Sequence, residues 1–157
     1  MHQTFRFSQS SRKWLELLQE IFQILKCKSW IYKEGKYRSV WILETSTKID
    51  RLAKPTSIGE KISYIRGYFD AEGGMPKSLK SILYFQFCQK NISDLTEVKR
   101  YLEDLRVKCG KIHNPSHRID ADYFRFFVSR ASHKDFMDII YSWHPGKAEQ
   151  IELRMKI

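Results

Sequence analysis

The stretch YIRGYFDAEGG, residues 64–74, decides how the rest of the chain is read. Its apolar run closes with two carboxylates, Asp70 and Glu72, followed by Gly73 and Gly74. A helix C-terminus carries partial negative charge, so each acid there costs a few tenths of a kcal/mol up to ~1 kcal/mol. Ser63, Gly67 and Ala71 recur at every fourth position and therefore share one helix face. Three small residues in line let a second backbone approach closely. Ile62, Ile65 and Phe69 form a neighbouring apolar face for the domain's own core. The two glycines let the chain leave the helix with positive φ or by a close approach. The acids then sit at the tip of a helix–helix interface, where a cation can meet them. Magnesium takes hard oxygen ligands, usually one or two carboxylates completed by waters and phosphate oxygens. Two such helices side by side would bring together two acids and their metals, which suits cutting two phosphodiester strands. Taken alone, the pair of acids reads better as a solvated helix end with a turn; the small-residue face and the glycines weigh against that.

Outward from this helix, the chain repeats itself. TFRFSQ at 4–9 superposes without gaps on YFQFCQ at 84–89, an offset of 80 residues. The same offset pairs Leu15 with Leu95, Leu18 with Val98, Phe22 with Leu102 and Leu25 with Leu105, the apolar stripe of an amphipathic helix. Each copy reads as a strand followed by a helix, then two strands and a turn. In copy one these are KSWIYKEGKYRSVWILE, with the turn at Glu34-Gly35; in copy two GKIHNPSHRIDADYFRFFVSR, with a longer loop around Asn114-Pro115. HKDFMDIIYSW continues copy two as a helix, and a shorter helix is expected in copy one before the KPTS linker at 54–57. Copy two is preceded by the motif helix, expected at about 61–72. Copy one has no equivalent ahead of it. The expected domains are thus 1–57, a truncated first repeat lacking its motif helix, and 58–157, a complete one.

Composition fits a nucleic-acid partner. The 157 residues leave room for one substantial domain or two small ones. Twenty-eight lysines and arginines against eighteen acids give a net charge of +10, and each cation placed on a phosphate releases counterions. Cys27, Cys88 and Cys109 are odd in number without metal-site spacing, and read as reduced, mostly buried thiols. No signal peptide or membrane-spanning run is visible, so the expected location is cytoplasmic, or organellar if the host element is organellar. In YFRFFV (123–128) and SILYFQF (81–87), large apolar residues are interleaved with Lys80, Gln86, Arg125 and Arg130; Arg6, Lys33, Lys36 and Arg38 fill similar places in copy one. One sheet face can pack on helices while the other offers these side chains to bases and phosphates.

Residues 65–73 of YIRGYFDAEGG resemble the nine positions of the LAGLIDADG homing endonuclease motif, and the order motif helix–ββ–helix–ββ–helix extends the resemblance over 61–157. The resemblance implies an α+β fold, a LAGLIDADG homing-endonuclease-like αββαββα domain, here preceded by the truncated strand-helix-strand-strand copy. It implies site-specific, Mg2+- or other divalent-cation-dependent hydrolysis of double-stranded DNA, in an enzyme serving intron or intein mobility. By the same resemblance Glu72 is the metal-binding acid, and Asp70 is the structural acid near the helix end, counted with the catalytic residues for a water-mediated role at the metal. Gln89, with Gln9 as its repeat partner, matches the polar residue that positions water near the scissile phosphate. Lys147 matches the lysine that stabilises developing charge there, and Lys61 falls near the corresponding place after copy one. Such enzymes carry two motif helices or dimerise, so this chain is expected to need a homodimer or a second motif-bearing chain, packed through Ser63, Gly67 and Ala71. A non-catalytic relative that binds DNA, or intron RNA as maturases do, stays open, as does a small assembly protein using the motif helix only for dimerisation.

Overall fold

A computed structural model describes residues 4–50 and 53–156 of the chain. They form two compact units, Met1–Lys54 and Pro55–Ile157. No helix among the described residues is long and apolar enough to cross a membrane.

The first unit is an antiparallel sheet with one helix. Strand β1 (Phe5–Gln9) is followed by helix α1 (Arg12–Ile24), β2 (Ser29–Lys33) and β3 (Trp41–Thr45), in the sheet order β1-β3-β2. The Ser11 side chain caps α1 by accepting from the Trp14 amide, satisfying a donor that the first turn leaves orphaned. Gly35 carries the left-handed φ of 68° in the turn between β2 and β3. Residues 46–50, 53 and 54 are irregular, so the short helix expected there does not appear among the described residues; Arg51 and Leu52, which that stretch includes, lie outside them.

Strand alternation assigns the faces of this sheet. Phe7, Leu43 and Ile31 lie in one cross-strand row, and Phe7 meets Phe22 of α1 at 5.9 Å between ring centres. Gln9, Trp41 and Lys33 form another row on that same helix-side face. Arg6, Glu44 and Trp30 share a row on the opposite face. Sequence alone puts Arg6 and Lys33 in similar places. The register separates them, because the residue period of a strand is two.

The second unit contains α2 (Ile58–Glu72), β4 (Gly73–Gly74), β5 (Gln86–Gln89), α3 (Ile92–Asp104), β6 (Phe124–Phe127), α4 (His133–Asp135) and α5 (Pro145–Met155). Its sheet order is β4-β5-β6. The motif helix begins three residues before the expected start. Ser57 and Glu60 make a reciprocal capping box, and those backbone and hydroxyl donors hold the Glu60 carboxyl down at about 2. The strand expected over 81–87 shrinks to its last residues, since 81–85 are irregular. Lys80 therefore lies in a turn and Arg130 in a one-turn 3-10 helix, both exposed. The segment before β6 contributes isolated bridges, Cys109 to Val128 and His113 to Arg125, instead of a full strand. α4 runs on into a π-helical turn, Phe136–Ile140, that ends at Tyr141 with φ 59°. Phe69, Phe85, Phe87, Phe126 and Phe136 centre the core and are fully buried. The three cysteines are free and all half-buried, a correction to the buried thiols expected.

The 80-residue offset reaches the backbone. α1 and α3 start and stop at positions 80 apart, and so do their caps, Ser11 and Asn91. Each helix then turns through a non-glycine residue of positive φ, Lys26 at 56° and Arg106 at 63°.

Candidate active site and nucleic-acid interface

The end of α2 is fixed from three directions. Asp70 is buried; its carboxylate accepts from the Ser142 hydroxyl and, at 3.1 Å, from the Trp143 amide. Lys147 of α5 donates to the main-chain oxygens of Phe69 at 2.5 Å and Asp70 at 3.0 Å, and its ammonium lies 4.7 Å from the Phe69 ring centre. A cation on the last carbonyls of a helix offsets their partial negative charge, which answers why acids are tolerated here. Burial pushes the Lys147 amine down to about 8, against the raising influence of Asp70, Cys88 and Glu72. The Cys88 thiol donates to the Glu72 carbonyl at 3.3 Å.

The motif's own arginine ties the helix to the chain beyond it. Arg66 donates through Nε to the Ile140 oxygen at 2.5 Å and lies 4.8 Å over the Trp143 ring. It thereby caps the π-helical turn. Neither spacing nor composition assigns a role at this site to Arg66, Ser142, Trp143 or Cys88.

The two acids of the motif are thus divided by environment. Asp70 is an internal anchor and Glu72 is exposed. Gln89, half-buried at the end of β5, accepts from its own neighbour's amide, Lys90, at 2.7 Å, and lies beside the Tyr68 hydroxyl, whose pKa burial raises. Gln9 occupies the same place at the end of β1 in the other unit. Lys61 is paired with Asp104 at 2.7 Å. That contact places it between α2 and α3.

Ser63, Gly67 and Ala71 are all exposed on one side of α2, and a methyl group built on Gly67 would meet nothing within 4 Å. Tyr64 and Tyr68, on the same helix, pack against the core. Gly73 has φ −81°, so its need is space and not a positive φ: a Cβ there would lie 2.1 Å from the Phe69 ring.

The outer face of the second sheet carries Gln86, Cys88, Arg125 and Phe127, which pair across β5 and β6. Arg125 lies 5.3 Å over the Phe127 ring and donates to His113 at 3.4 Å; Gln86 donates to the Tyr123 hydroxyl at 3.5 Å. In the first unit Arg6 and Arg38 flank Glu34, at 3.3 and 3.7 Å, while Lys33 and Lys36 are exposed. Glu44 lies on the face of Arg6 and accepts from Thr4 at 2.6 Å and Tyr32 at 2.8 Å; these hydroxyls lower its pKa.

No protein-family profile and no curated protein matches the chain. Solved structures do. I-DmoI in complex with DNA and manganese is 25% identical over 88% of this chain and 80% of its own, with a TM-score of 0.66. I-DmoI with DNA and calcium superposes over 96% of this chain and 83% of its own, at 24% identity and a TM-score of 0.70. The N-terminal LAGLIDADG domain of DUF199/WhiA shares the fold at 15% identity, covering 89% of this chain and 71% of its own with a TM-score of 0.67. The α+β fold is that of these LAGLIDADG structures, and in fold as in its motif helix the chain resembles the LAGLIDADG proteins.

Proposed function

We propose that the chain binds double-stranded DNA through the outer faces of its sheets and hydrolyses phosphodiester bonds site-specifically, with Glu72 holding a divalent cation, once a second motif helix is supplied. The observation that carries this reading is the division of labour at the end of α2: Asp70 is consumed internally while Glu72 is exposed at a helix end that Lys147, Ser142 and Trp143 hold still. I-DmoI, the homing endonuclease of similar fold, is known in complexes with DNA and manganese or calcium.

The donors present fit such an ion in part. Among the described residues no group of three or more metal-ligating side chains converges. One exposed carboxylate is a magnesium site only when phosphate oxygens and water complete it, so the ion would enter with the DNA. Bound there, it would polarise the phosphate and lower the pKa of a coordinated water. The chain's own part is positional: Ser142 and Trp143 fix Asp70, Lys147 fixes the helix end, and Gln89 sits at the neighbouring strand end.

The test selects duplexes bound by the chain from a randomised library and then assays strand cleavage with Mg2+ or Mn2+. Glu72→Gln keeps the side chain's size and removes its charge. The expected outcome is abolished metal-dependent cleavage with duplex affinity retained within about twofold, because phosphate contacts dominate affinity. Cleavage by the variant at the parent's single-turnover rate would remove Glu72 from the role. A second reading, a non-catalytic DNA- or intron-RNA-binding relative, is favoured by one observation: the Lys147 ammonium is already committed to two main-chain oxygens. Under that reading the parent binds the selected duplex, or intron RNA, and cuts nothing with either metal.

A further inference from the structure

Among the described residues the two most exposed large apolar side chains are Tyr37, at 98%, and Ile119, at 93%. Both stand on the loop that closes the last hairpin of their own copy. The first loop joins β2 to β3 and is shut by the Glu34 amide, which donates to the Val40 oxygen at 2.9 Å. The second leaves from His113 and returns to Arg125, which pair across an antiparallel bridge. The loops differ in length, so the match lies in their place in each unit.

Neither loop is slack. In the first, Gly35 turns the chain with φ 68°, and the Glu34 carboxylate pairs with Arg6 and Arg38. In the second, the Asn114 carboxamide donates to the Asp120 and Ala121 oxygens and accepts from the Ser116 amide, each at 2.9 Å. The Ile119 amide itself donates to the Ser116 oxygen at 2.7 Å. Each tip is therefore held in place before a partner arrives, which lowers the ordering cost of binding.

The neighbours are cationic. Tyr37 lies between Lys36 and Arg38, and Ile119 follows His117 and Arg118, all of them exposed. Asp120, the next residue, is paired with Lys90 at 3.6 Å. One exposed apolar residue is ordinary on a protein surface; the same place in both copies, beside cations each time, calls for a cause. A single side chain falls far short of the roughly 800 Å² per partner that a stable protein interface buries. A DNA major groove about 12 Å wide, by contrast, admits a two-stranded hairpin. The cations suit the phosphates at its rim, and the apolar group on its floor is the C5-methyl of thymine.

We propose that Tyr37 and Ile119 are specificity-determining residues that recognise thymine by apolar contact with its C5-methyl group, one thymine under each hairpin tip. The proposal rests on the DNA-binding part of the proposed function and needs neither metal nor cleavage.

The full chain is used to select duplexes from a randomised library, and the selected duplex is remade with each thymine in turn replaced by deoxyuridine. That replacement removes one methyl group and leaves pairing and charge unchanged. The expected selection fixes thymine at two positions. At each, deoxyuridine weakens binding, read by fluorescence anisotropy, by about fourfold, the effect of burying one methyl-sized group. Ile119→Ser abolishes this dependence at one position and Tyr37→Ser at the other. Neither variant changes the slope of log K against log salt, because neither removes a phosphate contact. A lowered slope in the serine variants would mean that the loops act by placing Lys36, Arg38 or Arg118, and overturns the proposal. Duplex binding that ignores the methyl group at every position overturns it too, as does a dependence that both serine variants keep; DNA binding itself then still stands. No duplex binding at all overturns the proposal together with the reading beneath it.

Discussion

Gly73 closes the motif with φ −81°, a conformation any residue adopts; space is what demands glycine there. A Cβ would stand 2.1 Å from the Phe69 ring and 2.5 Å from the Phe69 main-chain oxygen. The ring is fully buried and the oxygen belongs to the last helical turn, so neither yields cheaply. Gly73→Ala should therefore destabilise the chain by about 2–3 kcal/mol, the scale of overpacking a tight core. Gly67→Ala is the contrast. A Cβ there meets open space, and alanine in place of glycine inside a helix gains up to ~1 kcal/mol. Urea denaturation of the two variants should move the midpoint in opposite directions; equal shifts would mean that crowding at Gly73 has been misjudged. The sequence announces that glycine follows the acid but not which of its two freedoms is used. That choice depends on where Phe69 points.

Helix α2 shows how an element with acids at the wrong end is stabilised. Lys147 supplies the missing positive charge, yet it is buried enough that its amine falls to about 8, with burial the largest cause. The reference value is 10.5. Between these two values the unfolded chain binds more protons than the folded one, so stability rises with pH. Below about pH 8 both states hold the proton and the full penalty of burying the charge is present. The slope for one proton cannot exceed about 1.4 kcal/mol per pH unit. Urea midpoints at pH 7.5, 8.5 and 9.5 (conditions spaced about one unit apart to bracket the titration) should climb for the parent and stay flat for Lys147→Met. A parent curve that falls over this window would refute the burial of the charged amine. The elements themselves were largely readable in sequence, because periodicity and caps are local: Ser11, Ser57 and Asn91 each precede a run of helical spacing. The anchoring of α2 was not. Arg66 reaches Ile140, 74 residues on, and Asp70 reaches Ser142, 72 residues on. Contacts at such separation leave no spacing to read. The segment 81–85 is not strand for a related reason: its β-prone composition is local, whereas pairing needs a partner strand opposite.

At the scale of the molecule, the charge of +10 makes a statement about partners that the sheets make specific. The register divides the cations expected to bind DNA by face. Arg125 stands on the outer face of β5 and β6 with Gln86 and Phe127, whereas Lys33 shares a row with Gln9 and Trp41 on the helix side of its sheet. Composition points to a polyanionic partner but not to this division, since a shift of one residue exchanges the faces. Duplex binding should weaken steeply as salt rises, with a slope of about −0.9 in log K against log salt for every phosphate neutralised. If Arg125 contributes one such contact, Arg125→Ala lowers the slope by about one. Lys33→Ala should leave the slope nearly unchanged although the net charge falls by the same amount. Fluorescence anisotropy from 50 to 300 mM salt (about the span over which several phosphate contacts cost orders of magnitude in affinity) separates the two. Equal losses would mean that the protein attracts DNA by its overall charge and not by a sheet face. A flat parent response would mean that phosphate is not its partner.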